Sequence, residues 1–262
     1  MRLSPEKWKI LRKFQAGTPQ RKKVVVIYER NIRETEGFEV ILVMKGSTMK
    51  AIVFDMDGVL FDTEFVCLEG WKAVAEKNNL PDMEKVFPRC IGLNNTDCQA
   101  VLLDAYGVDF DYADFRKQAS AEFWGYIESK GLPEKPGVHE LLEWLKASDY
   151  KVGLASSTKR SSVLNHLEDA GILDYFEVII SGDMVEHSKP EPDIYLLACE
   201  KLGVEPGEAY AIEDSFNGIR SAYAAGMKPI MVPDMLAPDA EMQEKSVVIL
   251  KDLGEVLKFL AR

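Results

Sequence analysis

The sequence predicts an α/β fold, a doubly wound, Rossmann-like parallel sheet with an all-helical segment inserted after its first core strand. Three observations carry this expectation. From residue 136 onward, short β-favouring runs alternate with helical periodicity, the rhythm of βαβ units. Residues 50–54 form a mostly apolar, β-favouring run that breaks abruptly into Asp55-Met56-Asp57-Gly58. Between the two lies a stretch, residues 63–131, with helical spacing and no strong strand.

In chain order, residues 1–23 are basic and polar and read as an amphipathic helix or a disordered arm. Residues 24–28 and 38–44 are β-rich runs that read as a hairpin. Met49 would be a natural start for a complete downstream domain, so residues 1–48 read as an appended module or an extension without a folded role. After the opening motif, residues 65–78, 97–105 and 111–129 carry helical pattern, and Gly131-Leu132-Pro133 closes the segment. Pro136-Gly137 opens a helix with Val138, Leu141, Leu142 and Leu145 on one face. Strands are then expected at 151–155, 177–180, 209–212, 229–232 and 247–250. Helices are expected at 161–170, 193–202, 217–225 and 253–260.

Composition narrows the function classes. The 262 residues can bury a substantial core, and 47% hydrophobic with 29% charged residues is ordinary for a soluble globular protein. A net charge of -11 opposes general nucleic-acid binding. The charge is uneven: residues 1–48 hold 11 Lys+Arg against 5 Asp+Glu, and the remainder 21 against 38. Cys67, Cys90, Cys98 and Cys199 lack paired metal-ligand spacing, and no secretory or membrane-spanning run is present. A cytoplasmic monomer with reduced thiols, bound to neither membrane nor nucleic acid, is the expectation.

A parallel sheet aims its strand ends at one crevice, so each end is a candidate site. Asp55 and Asp57 follow the first core strand, where buried charge is costly unless a metal or chemistry offsets it. Gly58 lets the backbone turn sharply and approach a ligand. Taken alone, Asp-x-Asp-Gly fits a polar turn equally well. The next strand ends in Ser156-Ser157-Thr158-Lys159, hydroxyls suited to phosphate oxygens or to capping a helix. Lys189 precedes a Pro-Glu-Pro run, which frames an otherwise ordinary loop lysine on a rigid backbone. Glu213 and Asp214 are a second acidic pair at a strand end. Four carboxylates converging there would repel one another without a cation, and hard oxygen ligands select Mg2+. The set suits phosphoryl transfer, with a carboxylate attacking in line.

Across residues 49–262 the chain resembles the haloacid dehalogenase-like superfamily, on its phosphatase and phosphomutase branch. Asp55-Met56-Asp57-Gly58-Val59 matches the first motif, Ser156 the second, Lys189 the third and Glu213-Asp214 the fourth. The resemblance implies a core of residues 49–62 and 132–262, with residues 63–131 as a helical cap. It implies that Asp55 is the nucleophile that forms an aspartyl-phosphate. Asp57 would be the general acid/base, its carbonyl oxygen binding Mg2+. Asp55 and Asp214, with Glu213, would complete the ligands, and Ser156 and Lys189 would orient and neutralise the phosphoryl group.

Beta-phosphoglucomutases in this group carry a cap His ten residues past the acid/base Asp and an Arg in the cap loop. Cys67 and Asn95 stand at those positions here. A mutase needs cap cations for the distal phosphate of a bisphosphate, so their loss favours hydrolysis of a monophosphate over the phosphosugar mutase reading. A dehalogenase needs no metal, which Asp57 and the Glu213-Asp214 pair argue against. A phosphonate-cleaving relative would need a cap Lys for a Schiff base, with Lys72 the nearest in sequence. A signalling receiver has its acceptor on a later strand and no large cap. Substrate choice is expected to rest with Trp71, Asn94, Asn95, Thr96 and Arg89, beside Gly58 and Ser157 of the core. Asn and Thr suit hydroxyl-rich molecules, so the expected substrate is a small phosphorylated metabolite, a sugar or polyol phosphate. Hinges for cap closure are expected at residues 61–63 and 130–133.

Overall fold

The computed structural model describes residues 10–11, 25–26, 49–93 and 95–262. Of residues 1–48 it describes an antiparallel pair, β1 (Ile10–Leu11) and β2 (Val25–Val26), with Ile10 opposite Val26. β2 falls inside the first expected β-rich run. Ile10 and Leu11 are strand rather than the helix or arm expected there, and the second expected run, residues 38–44, lies outside the described residues.

In residues 49–262 the first strand is β3 (Ala51–Phe54), and every residue of it is buried. β4 (Lys151–Ser156), β5 (Val178–Ser181), β6 (Ala209–Glu213), β7 (Lys228–Met231) and β8 (Val248–Ile249) complete a parallel sheet ordered β5-β4-β3-β6-β7-β8. The chain builds outward from β3 through β4 to β5, then returns to β3's other side for β6, β7 and β8. This reversal opens a crevice beyond the carboxyl end of β3, between β4 and β6. The expected βαβ order is therefore borne out. β8 is two residues long where four were expected, and it pairs with β7.

The alternation of β3 explains how both faces are covered. Ile52 and Phe54 pack with Leu141, Leu142 and Leu145 of α5 (Val138–Lys146) and with Leu253 and Val256 of α10 (Leu253–Leu260). Ala51 and Val53 face the other way, against Ile194, Ala198 and Leu202 of α7 (Asp193–Leu202). α6 (Arg160–Asp169) joins the first layer, through Val163 and Leu167. α8 (Phe216–Ala224) joins the second, through Ala222, and α9 (Ala240–Lys245) packs Met242 against Ile219 of α8 and Met231 of β7. Each fully buried aliphatic side chain here contributes about 1.5–3 kcal/mol.

Between β3 and β4 run α1 (Thr63–Lys77), α2 (Met83–Val86), α3 (Asn95–Tyr106) and α4 (Tyr112–Lys130). They enclose their own apolar cluster, centred on Trp71, which meets Phe87 and Phe115 edge-on at 5.0 and 5.1 Å. The two chain passages joining this segment to the sheet run side by side. Asp62 N donates to Pro133 O, and Lys135 N to Leu60 O, each at 2.8 Å. The Lys135 ammonium braces the junction, 2.6 Å from Asp234 and 3.4 Å from Asp62. No described helix is long and apolar enough to cross a membrane.

Candidate active site

Asp55 follows β3 directly, and its N–H still donates to Ile212 O of β6 at 2.9 Å, so the ladder holds its side chain at the crevice mouth. Lys189 comes from the loop after β5, 134 positions away in sequence. Its ammonium donates to Asp55 Oδ1 at 2.5 Å, Glu213 Oε1 at 2.6 Å and Ala155 O at 3.0 Å, using all three of its protons. The ammonium also lies 4.9 Å from the centre of the Tyr195 ring.

Glu213 ends β6 and is completely buried. Besides Lys189, its Oε1 accepts from Tyr195 Oη at 2.7 Å, while Oε2 accepts from Ser215 Oγ at 3.1 Å and Ser215 N at 3.3 Å. Both carboxylate oxygens are thus committed to protein donors. The next helix can pass this close because residue 218 is glycine: a Cβ there would sit 1.9 Å from the Glu213 carboxyl.

Asp214 follows, and what it meets is Gly58. At φ +81° Gly58 takes the left-handed backbone that favours glycine, and a Cβ on it would lie 2.2 Å from Asp214 Oδ2. Gly58 was expected to admit a ligand; the group it admits in this structure is a carboxylate of the protein. Ligand atoms of Asp55, Glu213 and Asp214 all lie within 4.8 Å of one another, a separation one cation can span. Burial pushes the Asp55 carboxyl up to about 8 against the pull of Lys189, with Glu213 and Asp57 adding repulsion. Burial, then Glu213 and Asp55, drive Asp214 well above the usual carboxylate range. Burial alone would lower Lys189, but Asp55 and Glu213 more than offset it and raise the ammonium's pKa. A divalent ion would relieve the anionic crowding, and the all-oxygen donor set fits a hard cation.

Asp57 sits on the turn after Asp55. Its Oδ2 accepts from Thr158 Oγ1 at 2.9 Å and from Ser156 Oγ at 3.4 Å. Ser156, at the end of β4, is fully buried, and its Oγ accepts from Thr158 N at 3.1 Å. Ser157 is exposed, its backbone packed so tightly on Gly182 that a Cβ there would lie 2.2 Å from the Ser157 carbonyl oxygen.

Asp55, Asp57, Ser156, Lys189, Glu213 and Asp214 therefore converge at one sheet edge. The residues expected to read the substrate divide. Trp71 is 3% exposed at the heart of the helical segment, yet with Asn95 it lines a cavity of about 180 Å³. Asn95 and Thr96 lie in the first turn of α3 rather than in a loop, Thr96 exposed, and Asn94 lies outside the described residues. Arg89 is tied to Asp104 at 2.7 Å, and Lys72 pairs with Glu69 and Glu84.

Sequence reasoning did not tie four groups to the partners they have here. Thr158 was visible in the hydroxyl run after β4, and Ser215 directly follows the acidic pair as the cap of α8. Tyr195 has no local signal, since it looks like another apolar position on α7. Arg116 of α4, which lines the same cavity as Asn95, has none either.

Known proteins resemble this chain along most of its length. Residues 52–232 match the family described as haloacid dehalogenase-like hydrolase. The protein named phosphorylated carbohydrates phosphatase of Thermotoga maritima is 35% identical over 213 residues, covering 81% of this chain and 98% of that protein. Beta-phosphoglucomutase of Bacillus subtilis is 32% identical over 216 residues, covering 79% and 95%. A crystal structure of a HAD family hydrolase from Deinococcus radiodurans, with bound phosphate and sodium, has a TM-score of 0.71 at 27% identity, covering 82% of this chain and 96% of that one. The resemblance carried by the four motifs is borne out, and this chain belongs to the haloacid dehalogenase-like hydrolase family.

Proposed function

We propose that the protein is a Mg2+-dependent phosphatase that hydrolyses a small phosphorylated metabolite, a sugar or polyol phosphate, through an aspartyl-phosphate. The observation that carries the reading is the Lys189 ammonium 2.5 Å from Asp55, beside two further acidic groups within one cation's reach. Asp55 and Asp214, with the carbonyl oxygen of Asp57, would hold the ion, and bound Mg2+ would neutralise charge on the phosphoryl oxygens. Glu213 fits better as the anchor of Lys189, because its oxygens already accept from Lys189, Tyr195 and Ser215.

An Asp55 carboxylate oxygen attacks phosphorus in line as the bond from phosphorus to the substrate's ester oxygen breaks. Asp57 gives its proton to that departing oxygen. It then takes a proton from the water that attacks the aspartyl-phosphate and returns Asp55 as a carboxylate. Thr158 and Ser156, hydrogen-bonded to Asp57 Oδ2, hold it on the side of the leaving group. On substrate binding the Lys189 ammonium would turn one hydrogen bond from Asp55 to a phosphoryl oxygen, and the Ser156 hydroxyl, whose bond to Asp57 is long at 3.4 Å, would do the same. The helical segment, residues 63–131, acts as a cap that excludes bulk water on closing.

The identity to a beta-phosphoglucomutase keeps phosphosugar mutase as the second reading. A panel of phosphorylated sugars, polyols and nucleotides, assayed for free phosphate beside isomer formation, separates the two. Phosphate release that EDTA abolishes and Mg2+ restores is the expected result. Isomer formed without phosphate would establish the mutase. The same reading takes the enzyme as a cytoplasmic monomer, which sedimentation tests for its oligomeric part.

A further inference from the structure

We propose that His166 is a positioning residue, the middle member of a chain of three rings that seats the helical segment on the core and, through Phe61, holds the turn carrying Asp57 in place. The inference rests on the phosphatase reading above and adds to it how the acid/base carboxyl depends on where the helical segment rests. Trp124 of α4 lies nearly parallel to the imidazole of His166 on α6, with ring centres 6.1 Å apart and planes 15° from parallel. The Phe61 ring meets the same imidazole at 6.2 Å and 59°. The three rings thus come from the helical segment, from the core and from a chain passage that joins the two.

Phe61 links this contact to the chemistry through its backbone. Its N–H donates to Met56 O at 3.1 Å, and its carbonyl oxygen accepts from Gly58 N at 2.8 Å. The residues on both sides of Asp57 are therefore hydrogen-bonded to Phe61. The Phe61 ring is fully buried, so close packing passes a displacement of His166 on to it. Ser156 and Thr158 hold the Asp57 carboxyl, and the ring chain fixes the backbone that carries it. At the other end, Trp124 remains 44% exposed, and Phe123 meets it edge-on at 5.3 Å and orients the indole. An aromatic pair of this kind is worth roughly two- to tenfold in an equilibrium constant. That biases where the helical segment rests without locking it, so the segment can still open to release product.

The consequence falls on the leaving group. An alkyl alcohol departs from phosphorus readily only when a proton reaches its ester oxygen, and Asp57 is the group that delivers it. A nitrophenol departs as a stable anion and needs that proton far less. Displacing the Asp57 turn therefore penalises alkyl esters and spares aryl ones. A general loss of folded protein or of Mg2+ affinity lowers both alike.

The test uses the full chain with Mg2+ and two esters, a short polyol phosphate and nitrophenyl phosphate. Trp124→Ala and His166→Ala should each lower kcat/KM for the polyol ester by about tenfold, and for the nitrophenyl ester by less than about threefold. His166→Phe keeps a flat ring between Trp124 and Phe61 and should restore most of the difference. His166→Leu, apolar but without a ring, should not. Equal losses on both esters, no loss on either, or recovery as full in His166→Leu as in His166→Phe overturns the inference. Should His166→Ala fail to fold, Trp124→Ala decides, since that ring is half exposed. Hydrolysis of the nitrophenyl ester by the wild type reports on the phosphatase reading separately. If neither ester turns over, acrylamide quenching of tryptophan emission decides whether His166 seats the helical segment. A steeper slope in His166→Ala than in wild type, lost when Trp124→Phe is added, supports it, and equal slopes overturn it.

Discussion

The sheet edge and the helical segment solve the placement of polar groups in opposite ways. At the sheet edge, Lys189 spends three donors and Glu213 accepts from three residues, so each charge is held by several others. In the helical segment the cavity beside Trp71 is lined, among the described residues, mostly by apolar side chains, with Glu64 and Arg116 as the charged ones. A site that must orient phosphorus in line needs rigid, mutually supporting charges. The two regions thus differ in packing, a network of paired charges at the sheet edge and mainly apolar contact in the helical segment.

The largest expected effect tests the chemical half. Asp55→Asn should lower turnover by at least about 1,000-fold while leaving the thermal transition in place, because it removes the attacking oxygen and little volume. Retained Mg2+-dependent hydrolysis would falsify Asp55 as the nucleophile. Lys189→Met should cost about 3–5 kcal/mol in urea unfolding, since it strands Asp55 and Glu213 in a buried site without their cation. A loss below 1 kcal/mol would mean that the carboxylates have found another partner, and the two regions would no longer differ as described. Tyr195→Phe deletes one donor to Glu213 and should cost about 1–3 kcal/mol. The smallest effect belongs to the exterior of the helical segment. Arg89→Ala breaks an exposed pair with Asp104 and should stay within about 0.5 kcal/mol, with substrate preference unmoved. A changed preference would return Arg89 to the specificity surface.

Much of this was legible in the residues themselves. The βαβ rhythm reports periodicity, and periodicity is local, so α7 and α10 fall where expected to the residue. Strand ends in a parallel sheet share one edge, so the order Asp55, Ser156, Lys189, Glu213 was enough to anticipate their meeting. Less was legible where function depends on distances between elements far apart in the chain. Gly58 and Gly218 read as turn and helix residues, yet each is glycine because a carboxylate occupies the place of its Cβ. Tyr195 carries no mark of its hydroxyl's partner, because a helix face pointing at Glu213 looks like any other buried face. Arg116 was not legible either, because the packing of α4 on α1 is what brings it to the cavity that Asn95 lines.

By itself the sequence determined the element order, the parallel sheet and the identity of the groups at its edge, since these follow from spacing along the chain and the topology of βαβ crossovers. Only the tertiary structure decided which carboxylate anchors Lys189, which glycine makes room for which acid, and which arginine reaches the cavity beside Trp71. Those outcomes depend on ångström-scale approaches between helices and strands, and no pattern of neighbouring residues encodes such distances.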